Sequence, residues 1–128
     1  MGAAPDKQTL PVCLVDDDPS VLKATSRLLS WTGWKVESFT DPIAFLRYAQ
    51  IHHPEVVVLD IRMPVMNGLD VQTQLRNLSP STRVIVLTSK DDPLVRSRAM
   101  KGGACAFFLK PVEDEEFLTS IESAFSRD

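Results

Sequence analysis

The stretch EVVVLD, from Glu55 to Asp60, decides the fold class. Four consecutive apolar residues, three of them β-branched, precede the final acid. A strand with one solvent-exposed face would instead alternate apolar and polar residues. An unbroken run of this kind is typical of a strand that is covered on both faces of a parallel sheet. We therefore predict that this segment is a central strand and that the chain is an α/β protein.

Four further strand patterns and five helical patterns surround this segment. The strands are predicted at Pro11–Val15, Lys35–Phe39, Arg83–Leu87 and Ala106–Leu109. Lys35–Phe39 alternates polar and apolar residues, so it should lie at an edge of the sheet. Strands that alternate with helices predict a doubly wound, flavodoxin-like (βα)5 sandwich with a parallel five-stranded sheet in the order 2-1-3-4-5.

The helical patterns carry start signals and apolar stripes. Asp-Pro pairs at 18–19, 41–42 and 92–93 each supply an N-cap and a first-turn proline. In the second helix, Ile43, Leu46 and Ala49 are predicted to form the buried stripe. The fourth helix holds more apolar residues than one buried stripe needs, which predicts a partner surface; they are Leu94, Val95, Ala99 and Met100.

Length and composition limit the class of protein. The chain has 128 residues, so we expect one domain at 10–126, preceded at 1–9 by a flexible tail or a remnant of an expression tag. A net charge of −3 argues against direct nucleic-acid binding by this chain. No apolar stretch is long enough to span a membrane and no leader opens the chain, so we expect a cytoplasmic protein. Cys13 and Cys105 do not form a disulfide framework.

Polar residues capable of chemistry follow the predicted strands. Asp16 and Asp17 follow the first strand, Asp60 the third, Thr88 the fourth and Lys110 the fifth. In a doubly wound sheet these ends meet where ligands bind. Closely packed carboxylates repel one another, so they call for a cation. Carboxylate ligands favour Mg²⁺, with Mn²⁺ as an alternative.

The same set of residues suits phosphoryl transfer. Positioning and charge neutralisation do most of the work in that reaction, and a carboxylate such as Asp60 can be the nucleophile that forms an aspartyl phosphate. Lys110 adds a positive charge and Thr88 a hydroxyl. Asp18 is assigned to the N-cap of the first helix rather than to the metal.

Together these motifs resemble the receiver domain of two-component response regulators. The resemblance covers residues 10–126 and rests on Val15 to Asp18, Leu59 to Pro64 with Asn67-Gly68, Thr88-Ser89 and Lys110-Pro111. The details are most similar to receivers of FixJ/NarL-type transcription regulators. The resemblance implies that Asp60 is the phosphoacceptor and that Thr88 and Lys110 bind the phosphoryl oxygens. It also implies a cis peptide at Lys110-Pro111.

Further roles follow from the same resemblance. It implies Mg²⁺ held by Asp17, Asp60 and the backbone carbonyl of Arg62, with Asp16 acting largely through water. Phe107 occupies the position of the family's switch aromatic. Independently of the resemblance, Arg62 and Lys90 lie two residues after Asp60 and Thr88, so we expect their side chains to flank the phosphoryl group and lengthen its lifetime.

A receiver of this kind implies particular partners. We expect a sensor histidine kinase as the phosphoryl donor and an effector, in transcription control, acting through the surface of the fourth helix, fifth strand and last helix. Phosphorylation-induced homodimers are a further expectation. The chain would not be an enzyme beyond catalysing its own phosphorylation and dephosphorylation.

Three alternatives stay open at this point. A haloacid-dehalogenase-like phosphatase also uses an aspartyl phosphate and Mg²⁺, but it needs a second acid two residues after the nucleophile, where this chain has Arg62. A flavodoxin-like electron carrier needs a Ser/Thr/Gly-rich phosphate loop after the first strand, where this chain has three aspartates. The receiver could also be a free-standing phosphoryl shuttle or allosteric subunit.

Overall fold

The computed structural model describes residues 11–125, and ten elements alternate along them. The strands are β1 (Val12–Val15), β2 (Val36–Phe39), β3 (Val56–Leu59), β4 (Arg83–Thr88) and β5 (Ala106–Leu109). The helices are α1 (Pro19–Trp31), α2 (Pro42–His52), α3 (Gly68–Leu78), α4 (Pro93–Lys101) and α5 (Asp114–Phe125). The tail predicted at 1–9 lies outside the described residues, and the domain boundaries stay a prediction.

The strands form one parallel sheet in the order β2-β1-β3-β4-β5. β3 is hydrogen-bonded to β1 and to β4, so the unbroken apolar run is the central strand, as predicted. β2 pairs with β1 and ends the sheet on that side, which confirms the alternating segment as an edge strand. The predicted fold class and strand order are therefore confirmed.

The two faces of the central strand explain its composition. Val57 and Leu59 belong to the core cluster under α2, α3 and α4, whereas Val56 and Val58 belong to the cluster under α1 and α5. All four side chains are at most 4% exposed. Successive side chains of a strand point to opposite faces, so a strand buried on both sides has no position that favours a polar residue.

The predicted helix caps are present. The carboxylates of Asp18, Asp41 and Asp92 each accept a hydrogen bond from the backbone N–H two residues later, at 2.9, 3.0 and 3.0 Å. Each bond satisfies one of the donors that a helix leaves unpaired in its first turn. α1 ends before Gly33, whose φ of 96° is a left-handed conformation that suits glycine.

The buried stripe predicted for α2 is wrong at Ile43. Ile43 is 39% exposed, whereas Phe45, Leu46 and Ala49 are buried. The buried residues of this helix therefore begin at Pro42 and recur three, four and seven positions later. Ile43 lies one residue, or about 100°, away from that stripe, which turns it toward solvent.

The apolar side chains of α4 are only partly buried. Ala99 is fully buried and Val95 packs against the core, whereas Leu94 is 62% and Met100 42% exposed. Burial in the core therefore does not account for the apolar character of this helix.

Candidate functional site

Four strand ends bring the predicted site residues to one edge of the sheet. The Asp60 N–H donates to the Val15 carbonyl at 3.0 Å, and the Lys110 N–H donates to the Thr88 carbonyl at 2.8 Å. The Asp16 N–H donates to the Phe39 carbonyl at 3.1 Å. These bonds extend the ladders beyond the strands, so the backbone that carries the site residues is held in the register of the sheet.

Three carboxylates form a cluster at this edge. Asp16, Asp17 and Asp60 each offer an oxygen, and these oxygens lie within 4.8 Å of one another. Asp16 and Asp60 are both 6% exposed, whereas Asp17 is exposed. Three acidic oxygens this close together, two of them buried, fit a hard divalent cation, which keeps part of its water shell. Asp18 is used as the cap of α1 and is outside the cluster.

Lys110 supplies the positive charge that faces the cluster. Its ammonium lies 2.6 Å from one oxygen of Asp16 and 3.7 Å from one oxygen of Asp60. The other oxygen of Asp16 accepts from the Asp18 backbone N–H at 2.9 Å. Asp16 is thus fixed by contacts on both oxygens, and it holds the ammonium next to Asp60.

Asp60 has a perturbed acidity with several causes. Burial raises the pKa of the Asp60 carboxyl, and the charge of Asp16 raises it further. Lys110 and hydrogen bonds from the Thr88 hydroxyl and the Arg62 backbone N–H act in the opposite direction. The ionised carboxylate is therefore poorly solvated, and Lys110 and these two donors are the groups that offset its burial.

Gly68 lets α3 approach the loop that follows Asp60. The Gly68 N–H donates to the Ile61 carbonyl at 2.8 Å. A Cβ at Gly68 would lie 2.5 Å from the Asp60 carbonyl oxygen and 2.8 Å from the Ile61 Cα. Only glycine fits against this backbone, which carries the Arg62 carbonyl assigned to the metal. Asn67-Gly68 is one of the motifs that carry the resemblance, but the sequence does not show this close approach.

Thr88 and Phe107 lie on the same face of neighbouring strands. In the register of the sheet, Val86 is opposite Phe107 and Thr88 is opposite Leu109. Side chains two residues apart share a face, so Thr88 and Phe107 are diagonal neighbours under α4. Thr88 is 1% exposed, and Phe107 packs half-buried against the core cluster on that face.

The side chains of Arg62 and Lys90 are both exposed. Arg62 lines a cleft between the β3–α3 loop and α4, and Lys90 lies on the loop that precedes α4. Among residues 11–125, Lys110 is the cation that pairs with Asp60 in this structure. The role of both side chains in phosphate lifetime stays a prediction. Lys110-Pro111 is a cis peptide, as the resemblance implied.

Sequence reasoning missed one residue near the site, Arg96. Its guanidinium carbon lies over the Phe107 ring, 5.4 Å from the centroid. Arg96 is on α4 and Phe107 on β5, and no periodicity or motif in the sequence connects the two positions.

Comparison with known proteins gives one consistent result. The family model for the response regulator receiver domain matches residues 12–122. The response regulator protein TodT of Pseudomonas putida is 38% identical over 113 residues, which are 88% of this chain and 50% of TodT. TcrX of Mycobacterium tuberculosis, named as a probable transcriptional regulatory protein, is 33% identical over 122 residues, which are 95% of this chain and 52% of TcrX.

A similar solved structure is the BeF3-activated receiver domain of DrrB, a protein from Thermotoga maritima. It has a TM-score of 0.83 and 28% sequence identity, over 92% of this chain and 98% of that domain. The chain spans about half the length of the curated relatives it matches. Between residues 11 and 125, no helix is long and apolar enough to cross a membrane.

Proposed function

Because this chain belongs to the receiver domains of the response regulators, we propose that it is a phosphorylation-dependent switch in which Asp60 accepts the phosphoryl group. The observation that carries this proposal is the set of contacts around Asp60. The carboxylate is buried and faces the Lys110 ammonium at 3.7 Å, and the Thr88 hydroxyl acts to lower its pKa. A phosphoryl group on Asp60 would meet the same cation and the same hydroxyl.

The proposed donor is the phosphohistidine of a sensor histidine kinase. A carboxylate oxygen of Asp60 attacks the phosphorus, the new P–O bond forms as the P–N bond breaks, and the leaving imidazole takes up a proton. Lys110 neutralises charge on the transferred group, and Thr88 donates to one of its oxygens. The domain would then catalyse its own phosphorylation and dephosphorylation rather than a reaction on an external substrate.

The donor set fits a divalent cation, and we assign its site to Asp17, Asp60 and the backbone carbonyl of Arg62, with Asp16 acting largely through water. Two buried carboxylates and an exposed third, within 4.8 Å, match the oxygen ligands that Mg²⁺ prefers, and Mn²⁺ is an alternative. When bound, the cation would neutralise the negative charge that develops during phosphoryl transfer. Gly68 supports this site because it lets α3 brace the loop that carries Arg62.

The proposed output is a change of the surface made by α4, β5 and α5. A phosphoryl group would draw the Thr88 hydroxyl toward it, because its oxygens are strong acceptors. The space that Thr88 leaves is adjacent to Phe107 on the same face of the sheet, so the ring can move into it. The exposed Leu94 and Met100 supply apolar contact area on α4 for a second copy or an effector.

The partners and setting follow from the family and remain part of the proposal. The relatives are about twice as long as this chain, and one is described as a transcriptional regulatory protein. We assign this chain an effector in transcription control rather than direct nucleic-acid binding, because its own charge is −3. A kinase that draws on ATP as the phosphoryl source would place the reaction in the cytoplasm.

Phosphorylation with a small acyl phosphate and Mg²⁺ tests the site assignment. We expect one phosphoryl group per chain, labile to base and hydroxylamine, and none in Asp60→Asn. Asp17→Asn should lose labelling because it removes a metal-ligand charge, whereas Asp18→Asn should label like the parent protein, since asparagine also caps a helix. Labelling of Asp60→Asn at the parent level would refute the assignment.

Sedimentation with and without beryllofluoride tests the output. We expect self-association, or effector binding, to increase when the phosphate mimic is bound. Thr88→Ala should still accept phosphate on Asp60 but respond more weakly. If Thr88→Ala and the parent protein associate alike, the hydroxyl does not trigger the change.

A further inference from the structure

The contact between Arg96 and Phe107 joins α4 to the side chain assigned to the switch. The guanidinium carbon is 5.4 Å from the ring centroid, which is within the range of a cation–π interaction. The ring is half-buried against the core on one side and covered by the cation on the other. The position of Phe107 in this structure is therefore stabilised from both sides.

The arginine is available for this contact. Among residues 11–125 no carboxylate forms an ion pair with Arg96; the ion pairs in that range join Lys110 to Asp16 and Asp60. Arg96 is exposed, so its side chain can contact the ring without the cost of burying an unpaired charge. Its backbone N–H donates to the Asp92 carbonyl at 2.9 Å, so its Cα belongs to the regular first turns of α4.

We propose that Arg96 is a positioning residue that holds Phe107 in the position seen here and so sets the phosphorylation level at which the domain switches. This inference rests on the proposed function, because it takes Phe107 as the moving ring. We take the cation–π contact to be specific to the present position of the ring, so that the ring leaves the guanidinium when it moves toward Thr88. Activation must therefore break the cation–π contact, and a weaker contact should make activation easier.

The size of the effect follows from the strength of such contacts. An exposed cation–π pair shifts a two-state equilibrium by about two- to fivefold. Beryllofluoride binding and the movement of Phe107 are linked, so a change in the equilibrium between the two ring positions also changes the apparent affinity for beryllofluoride. If the resting position predominates, removal of the contact should therefore tighten apparent beryllofluoride binding by about the same two- to fivefold factor.

The test uses ¹⁹F NMR of the protein labelled with fluorophenylalanine, with the Phe107 signal identified by Phe107→Leu. Beryllofluoride is titrated in the presence of Mg²⁺ into the parent, Arg96→Gln, Arg96→Lys and Arg98→Gln. Arg96→Gln removes the cation, and Arg96→Lys restores a cation at the same position. Arg98→Gln is the matched control, because Arg98 is an exposed arginine on the same helix that lines the cleft toward α3 instead.

In support of the proposal, Arg96→Gln should shift the Phe107 signal toward its beryllofluoride-bound value without ligand and lower the midpoint about two- to fivefold. In Arg96→Lys, the Phe107 signal and the beryllofluoride midpoint should move back toward the parent values. In Arg98→Gln, both should equal the parent values. Equal midpoints for Arg96→Gln and the parent would overturn the inference while leaving Asp60 as phosphoacceptor. A Phe107 signal that ignores bound beryllofluoride would also overturn it. If beryllofluoride still binds when Asp60 is replaced by asparagine, or never binds the parent protein, the proposed function itself fails.

Discussion

Removal of the Asp60 charge should stabilise the metal-free protein. The oxygens of Asp16, Asp17 and Asp60 lie within 4.8 Å, which at an effective dielectric constant of about 20 gives a repulsion of roughly 3.5 kcal/mol or more per pair. The Lys110 ammonium, 3.7 Å from the Asp60 carboxylate, contributes about 4.5 kcal/mol of attraction at the same dielectric constant. Asp17 is exposed, so solvent and salt reduce its share.

With the share of the exposed Asp17 reduced by solvent, the repulsion from Asp16 and the attraction from Lys110 nearly cancel, and desolvation then decides the sign. Burial is the largest cause of the raised pKa of Asp60, which means that folding disfavours its ionised form. An acid whose pKa is raised in the folded state costs stability above that pKa, so its neutral replacement should help at neutral pH. We expect Asp60→Asn to gain about 1–3 kcal/mol in chelator, or about 3–4 °C in Tm per kcal/mol for a domain of this size.

Mg²⁺ should reduce the difference in stability between Asp60→Asn and the parent protein. A cation bound at ten times its Kd stabilises the folded parent by about 1.4 kcal/mol, whereas Asp60→Asn lacks one ligand charge and should gain less. Thermal melts in chelator and in Mg²⁺ measure both effects. Asp18→Asn is the control and should keep the parent's melting temperature and its response to Mg²⁺. If Asp60→Asn melts below the parent in chelator, Lys110 outweighs desolvation and this reasoning is wrong.

Three further predictions concern other parts of the molecule. Arg62→Asn and Lys90→Glu should each speed the loss of label from the phosphorylated protein, because a cation no longer shields the phosphoryl group; an unchanged decay rate in both would show that these side chains face solvent. Gly68→Ala should lower the free energy of unfolding by about 1–3 kcal/mol in denaturant titrations, because its Cβ would overlap backbone atoms at 2.5 and 2.8 Å; an unchanged midpoint would show that the loop can yield. Burial raises the pKa of the Cys13 thiol to about 12, so a thiol reagent at mildly alkaline pH should modify the exposed Cys105 alone, with Cys13 reacting only after unfolding; native labelling of both thiols would contradict this.

The sequence by itself determined the fold class and which residues meet at the carboxyl edge of the sheet. Each signal was local: an unbroken apolar run for the central strand, an alternating segment for the edge strand, and Asp-Pro pairs for the helix starts. Parallel strands joined by helices place their carboxyl ends at one edge of the sheet, so residues after separate strands converge without any knowledge of tertiary contacts. Asp16, Asp60, Thr88 and Lys110 could be brought together in this way.

Only the tertiary structure decided how each element is rotated and what it touches. Ile43 was assigned to the wrong face because a helix turns about 100° per residue and its docking, not its own pattern, selects the buried stripe. The close approach at Gly68 depends on how α3 meets the loop after β3. The contact of Arg96 with Phe107 joins two elements whose separation and rotation are set by core packing. Contacts between elements depend on distances that no local pattern encodes, so the structure was needed to find them.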